Sequence, residues 1–242
     1  QPLRVWHRLL YLHRVRRRNA SVRKSALRIP SMRNVQYAFM TIGQIERFYS
    51  QFYKKWNRAA YYELMEKLKV TPDQKLSSMS CGQRSQVALG LILAQNADLL
   101  VLDDFSLGLD PGYRRLFTDY LREYAKAENK TVFMTSHIIQ DMERLVDDCI
   151  ILDYGRILVQ KPVKELMDTF HRYAFTAADC SALESDSRLY STSRIRENCE
   201  TFSFETGEAV RKILEEKAIE YKDLRQEKLS LEDIFIGLTG KY

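Results

Sequence analysis

The chain has 242 residues, of which 45% are hydrophobic and 29% charged, enough to bury a sizeable core in one large domain or one domain with an appendage. No apolar run reaches the ~18 residues of a membrane span, and four scattered cysteines without a CxxC or CxxH pair exclude a zinc ribbon and a disulfide scaffold. The net charge of +6 is uneven: residues 1–45 hold ten Lys or Arg and no acid, while the rest carries 28 basic and 32 acidic side chains.

The first 28 residues have neither Gly nor acid and no sustained helical or alternating pattern. Residues 1–33 read as a basic arm of undefined structure, suited to phosphate backbones or anionic lipid. Trp6 and Tyr11 could stack on bases, but a membrane-surface role explains the charge equally well, and nucleic acid is not an expected partner.

A helix is expected from Thr41, its N-cap, with Gln44 completing a capping box and Ile42, Ile45, Phe48, Tyr49 and Phe52 on one face. Asn57 caps a second helix to about Lys69, striped by Tyr61, Leu64, Met65 and Leu68, and Thr71-Pro72-Asp73 makes a turn. Together these form a helical subdomain over 34–75. Ser80 opens a third helix whose later turns are almost wholly apolar, so it should be buried on most sides.

The run DLLVLDD (98–104) reads as a buried parallel strand whose C-terminal end carries two carboxylates, the place where α/β sheets put their sites. A helix from Gly112 to Ala127, a strand TVFMTSH (131–137), a helix from Ile138 to Val146 and a strand CIILDYG (149–155) follow. This alternation predicts right-handed crossovers and a parallel sheet over 76–160. From 161 to 242 the pattern changes to a small α+β appendage. It has a short helix VKELMDTF, alternating pieces such as TFSFE, an amphipathic helix GEAVRKILEEKAI, and a last helix capped by Ser230 with Asp233 three residues on.

Three features stand in fixed order: MSCGQ (79–83) at a helix start, LLVLDDFSLGLD (99–110), and a strand ending in His137. In that order they resemble the ATP-binding subunits of ABC transporters. MSCGQ resembles the LSGGQ signature, LLVLDD the Walker B strand, SLGLDP the D-loop and TSHI the switch-histidine strand. The ends resemble the branch serving ABC-2 type exporters. The fold so implied is α/β, a partial P-loop NTPase-like parallel sheet with a helical subdomain and a small α+β C-terminal appendage.

The resemblance implies roles for single residues. Ser80, Cys81, Gly82 and Gln83 would reach the γ-phosphate of a partner's ATP, through free N–H groups at a helix start. Gly82 would allow close backbone approach to phosphate, and Cys81 replaces the first Gly of the pattern. Asp103 would hold Mg²⁺ through its waters. Asp104 stands where the family usually has the Glu that orients the attacking water, one methylene shorter. Asp110 would link the two ATP sites of a dimer, though an Asp before Pro111 also suits a plain helix cap. His137 would contact the γ-phosphate.

No GxxxxGK[ST] phosphate loop occurs among the 242 residues, and none of the nine glycines precedes Gly43. Gln36 is the one candidate for a Q-loop glutamine, in flanks that do not match. The expectation is therefore an ATP-binding subunit with ATP and Mg²⁺ as ligands, truncated or divergent at its N-terminal end. Its partners would be a transmembrane permease subunit and a second ABC ATPase, as homodimer or heterodimer. It would sit in the cytoplasm, peripheral on the inner face of the cell membrane. The alternative is a non-catalytic module that lends its signature to a partner's ATP site.

Overall fold

The computed structural model describes residues 37–104, 109–136 and 138–240, and the backbone alone of 8–13 and 27–28. The described residues fall into two units, 10–145 and 146–240, with residues 8–9 of the first strand grouped with the second.

In the first unit, two strands lie within the basic segment, β1 (Arg8–His13) and β2 (Leu27–Arg28), where the sequence pattern gave none. Helix α1 (Ile42–Ser50) starts as its capping box requires. Gln44 N donates to Thr41 Oγ1 at 3.2 Å and Thr41 N to Gln44 Oε1 at 2.9 Å. Asn57 Oδ1 accepts from Ala60 N at 3.1 Å and opens α2 (Arg58–Lys67). The stripe of α2 faces inward: Tyr61, Leu64 and Met65 are buried, and the Tyr61 hydroxyl donates to Ile42 O at 3.1 Å, tying α2 to α1. Burial holds the Tyr61 phenol far above its ordinary range.

Helix α3 (Cys81–Ala94) is the central one. Val87, Leu89, Leu91, Ile92, Leu93 and Ala94 are all buried, as an apolar surround predicts. Gly90 lets α2 come close, since a Cβ there would lie 3.0 Å from Met65 Cε and 3.1 Å from Tyr61 Cδ2. Strand β3 (Leu99–Asp103) runs parallel to β4 (Thr131–Ser136) in a register that pairs Leu99 with Thr131 and Asp103 with Thr135. Strand β2 adds to the other edge of β3, also parallel, and the strand order in this unit is β2-β3-β4-β1. The crossover from β3 to β4 is helix α4 (Pro111–Ala127), and α5 (Ile139–Leu145) follows β4. Arg114 of α4 forms an ion pair with Asp141 of α5.

The second unit begins with a hairpin of β5 (Asp148–Asp153) and β6 (Arg156–Pro162). Strand β6, which the sequence pattern did not give, pairs antiparallel with β5. The hairpin follows from its turn. Tyr154 and Gly155 both have positive φ, 44° and 79°, the pairing of a two-residue type I′ turn that reverses the chain with the twist of its strands.

Helix α6 (Val163–Thr169) leads to an antiparallel sheet ordered β10-β7-β9-β8, made of β7 (His171–Ala177), β8 (Tyr190–Ile195), β9 (Asn198–Ser203) and β10 (Tyr221–Glu227). Helix α7 (Gly207–Glu216) lays Val210, Ile213 and Leu214 against Tyr173, Phe175 and Leu183 to form the core of this unit. Helix α8 (Leu231–Thr239) carries the Ser230/Asp233 capping box. Its Gly237 abuts Phe202, where a Cβ would come within 2.6 Å of the ring. No described helix is long and apolar enough to cross a membrane.

Candidate functional site

The sequence candidates that the structure describes all lie in the first unit, at the C-terminal ends of β3 and β4 and the N-termini of α3 and α4. Asp103 is the last residue of β3 and is exposed. Its partner across the ladder is Thr135, whose Oγ1 donates to Asp103 Oδ1 at 2.6 Å. The same hydroxyl accepts from Asp104 N at 2.9 Å, and Thr135 O accepts that N–H at 3.1 Å. One threonine therefore fixes both the carboxylate of Asp103 and the backbone of Asp104.

Asp104 has φ +49°. In this left-handed region a short side chain that can bond locally is favoured among non-glycine residues. Beyond β4, Ser136 Oγ accepts from Ile138 N at 3.0 Å and turns the chain toward α5. His137 and the Gln36 candidate lie outside the described residues, as do residues 105–108 of the Gly-containing turn.

Ser80 caps α3. Gln83 N donates to Ser80 Oγ at 3.2 Å and Ser80 N to Gln83 Oε1 at 3.0 Å. The Gln83 amide oxygen is thereby occupied within the chain. Cys81 and Gly82 begin the first turn of α3, Cys81 exposed and Gly82 buried. Cys81 is the one exposed thiol of the four; Cys149, Cys180 and Cys199 are buried. Asp110 caps α4, its Oδ1 accepting from Tyr113 N at 3.2 Å, with Pro111 as the first helical residue.

Gly82 meets a demand within its own chain. A Cβ there would lie 2.3 Å from Tyr113 Cδ2 and 2.6 Å from Cε2, so the Tyr113 ring rests on the bare backbone of α3. Gln86, one turn on and buried, donates from Nε2 to Tyr113 O at 3.0 Å. The starts of α3 and α4 are joined through one residue. Tyr113, Gln86 and Thr135 are the site residues that sequence reasoning passed over. A Thr two residues before His137 on an apolar strand was a usable signal for one of them; nothing local marked the other two.

The donor set suits a hydrated Mg²⁺, which takes one or two carboxylates and keeps its waters. Asp103 offers an exposed carboxylate anchored on one oxygen. The described residues hold no group of three or more His, Cys, Asp or Glu that would cage an ion. A metal at Asp103 would therefore share its remaining positions with water and phosphate oxygens.

No family model matches the chain. Among curated proteins it is 35% identical over 92 residues to the thiamine import ATP-binding protein ThiQ of Jannaschia sp. (strain CCS1), covering 38% of this chain and 40% of that protein. It is 38% identical over 88 residues to the energy-coupling factor transporter ATP-binding protein EcfA2 of Staphylococcus aureus (strain MRSA252), covering 36% and 31%. A longer match, 28% identical over 178 residues, joins 72% of the chain to 58% of the Nod factor export ATP-binding protein I of Rhizobium sp. (strain N33). The solved structure of cbiO1 from Clostridium perfringens, part of the ABC transporter complex cbiONQ, superposes with a TM-score of 0.47 at 22% identity over 55% of each chain.

The homologues of this chain are ATP-binding subunits of ABC transporters. The chain spans between 31% and 58% of the length of these three curated relatives. They include import and export proteins, so they do not single out the exporter branch.

Proposed function

We propose that this chain acts as an ATP-binding subunit of an ABC transporter and contributes the signature helix and the carboxylate pair to ATP sites shared across a dimer. The observation that carries the reading is the Thr135 clip: from the adjoining parallel strand β4 it holds Asp103 and Asp104 together at the end of β3. In this reading Asp103 holds the waters of Mg²⁺, and the metal's part is to neutralise phosphate charge. Asp104 orients the attacking water and takes its proton. The first turn of α3, entered through the exposed Cys81, meets the γ-phosphate bound by a partner subunit. Asp110 and His137 complete the set, the latter by family resemblance. A membrane permease is the partner that turns this cycle into transport, which puts the chain on the cytoplasmic face of a membrane.

A second reading, a module that completes a partner's site without hydrolysing ATP itself, is favoured by a sequence observation. No GxxxxGK[ST] occurs in the 242 residues, so the backbone cradle and lysine for the phosphates have no counterpart here.

Calorimetric titration of the purified chain with Mg-ATP, alone and with His137→Ala and Asp103→Asn, tests the first reading. Binding that weakens in both variants supports it. Absence of binding to the chain, together with faster hydrolysis by an intact ATPase subunit of the same transporter when the chain is added, selects the second. Neither binding nor stimulation overturns both.

A further inference from the structure

We infer that Tyr113 is a positioning residue that locks the signature helix to the turn leading out of the carboxylate strand, so that the two nucleotide-facing edges move as one body. The inference rests on the proposed function for its meaning and on packing for its existence.

Tyr113 touches both edges with three different groups. Its N–H is held by Asp110 Oδ1 at 3.2 Å, at the cap of α4. Its carbonyl accepts from the buried Gln86 Nε2 at 3.0 Å, on the second turn of α3. Its ring occupies the space that a side chain at position 82 would need, with Cδ2, Cε2 and Cγ all within 2.7 Å of the Cβ site. The main-chain contacts fix where α4 begins relative to α3. The ring contact then fixes the first turn of α3, where Cys81 and Gly82 stand.

The consequence is a reassignment of the glycine. In a site where the helix start meets phosphate, a bare backbone is useful for approach. Here the same glycine is required by Tyr113, and any side chain at 82 must first displace the ring. Displacement is transmitted to Asp110 through the Tyr113 backbone. A change at the signature helix therefore reaches the D-loop residue without a nucleotide present, through contacts rather than through a bound ligand.

Cys81 provides the readout, being the one exposed thiol, beside Gly82 at the first helical position. Its alkylation rate by a maleimide is measured in the full chain without nucleotide, alongside the thermal midpoint, for Tyr113→Ala, Tyr113→Phe, Gly82→Ala and the double variant Gly82→Ala with Tyr113→Ala. Tyr113→Ala and Gly82→Ala should each change the Cys81 rate by about twofold or more and lower the thermal midpoint, because the local order of the first turn is lost. Tyr113→Phe should keep the wild-type rate. The double variant should be no faster than Tyr113→Ala, because the clash at 82 needs the ring. Equal rates in wild type and Tyr113→Ala, or additive effects in the double variant, overturn the lock. Because no nucleotide is used, failure of the ATP reading would leave these rates unchanged, and failure of the lock would leave Mg-ATP binding to be judged on its own.

Discussion

Thr135 and Asp103 face each other across the β3–β4 ladder, and the threonine hydroxyl donates to the carboxylate at 2.6 Å while receiving the N–H of Asp104 at 2.9 Å. A hydroxyl can do both at once because it is one donor and two acceptors. Valine has the same outline and neither capacity. Thr135→Val should cost about 1–2 kcal/mol, since it leaves the Asp104 N–H with a single acceptor and the Asp103 oxygen without its donor. Thr135→Ser should recover most of that. Urea denaturation of the three proteins measures the cost. Retention of Mn²⁺ with nucleotide, read by electron paramagnetic resonance, should fall in the valine variant and persist in the serine one.

Glu46 is buried on α1, 2% exposed, and accepts from Trp56 Nε1 at 2.8 Å and Arg58 Nε at 3.0 Å. Those two donors sit on either side of the Asn57 cap, so the carboxylate fastens the α1–α2 connection. Arg58 is 64% exposed and contributes little as a charge; the part-buried hydrogen bond from Trp56 matters more. Glu46→Ala should destabilise the chain by about 2–3 kcal/mol through the indole donor and vacated space. Glu46→Gln, which keeps an acceptor, should cost about 1 kcal/mol. Chemical denaturation ranks them, and Trp56 emission should shift to longer wavelength in the alanine variant only.

The parts of this fold that could be read from sequence are those set by chemistry within a few residues. The caps expected at Thr41 with Gln44 and at Ser230 with Asp233 both form, because cap and partner are three residues apart, and Ser80 opens α3 as expected. The buried strands β3 and β4 were equally plain, being short apolar runs with polar ends. Strand β10 was missed because its alternation is broken: Asp223 takes φ +55° and the register with β7 slips between Lys222 and Arg225, so Tyr221 and Leu224 reach the core at a spacing of three. Strand β6 was missed because Ile157 and Leu158 are adjacent and both exposed, which no half-buried strand pattern anticipates. The Gly82–Tyr113 and Asp103–Thr135 contacts join residues about thirty apart, beyond what spacing can specify. The ordered motifs supplied the candidate residues, and the contacts between them came only from the structure.

Asp186 supplies a pH dependence with a definite sign. Its carboxylate takes hydrogen bonds from the Arg188 guanidinium at 2.9 and 2.7 Å and from Arg188 N at 3.0 Å, with Lys217 at 4.0 Å. The Arg188 side chain is the largest cause holding this carboxyl at about 2, below the usual carboxylate range. A carboxyl depressed in the folded state stabilises it above the unfolded value near 4, and that contribution disappears as pH falls toward 2. Arg188 is 42% exposed, so solvent screening reduces the contribution to ~1 kcal/mol. Wild type should exceed Asp186→Asn in stability by that amount at pH 6, and the two should converge near pH 2. Paired urea titrations at both pH values check it, and a gap that persists at pH 2 would show that the carboxylate acts other than through its charge.

Asp104 separates backbone from chemistry. Its φ of +49° is tolerated by Asp and Asn several-fold better than by other side chains, so Asp104→Asn should change stability by less than about 0.5 kcal/mol. Asp104→Glu keeps the acid but places a longer side chain in the left-handed region, and should destabilise by about 1 kcal/mol. If Asp104 orients and deprotonates the attacking water, hydrolysis should fall at least ~100-fold in the asparagine variant while Mg-ATP binding persists, because a general base typically supplies that factor or more. Single-turnover hydrolysis with an intact ABC ATPase subunit as partner separates the two steps. Hydrolysis equal to wild type in Asp104→Asn would assign the water to another residue and leave Asp104 as the turn that ends β3. Loss of binding together with hydrolysis would place Asp104 with Asp103 on the metal.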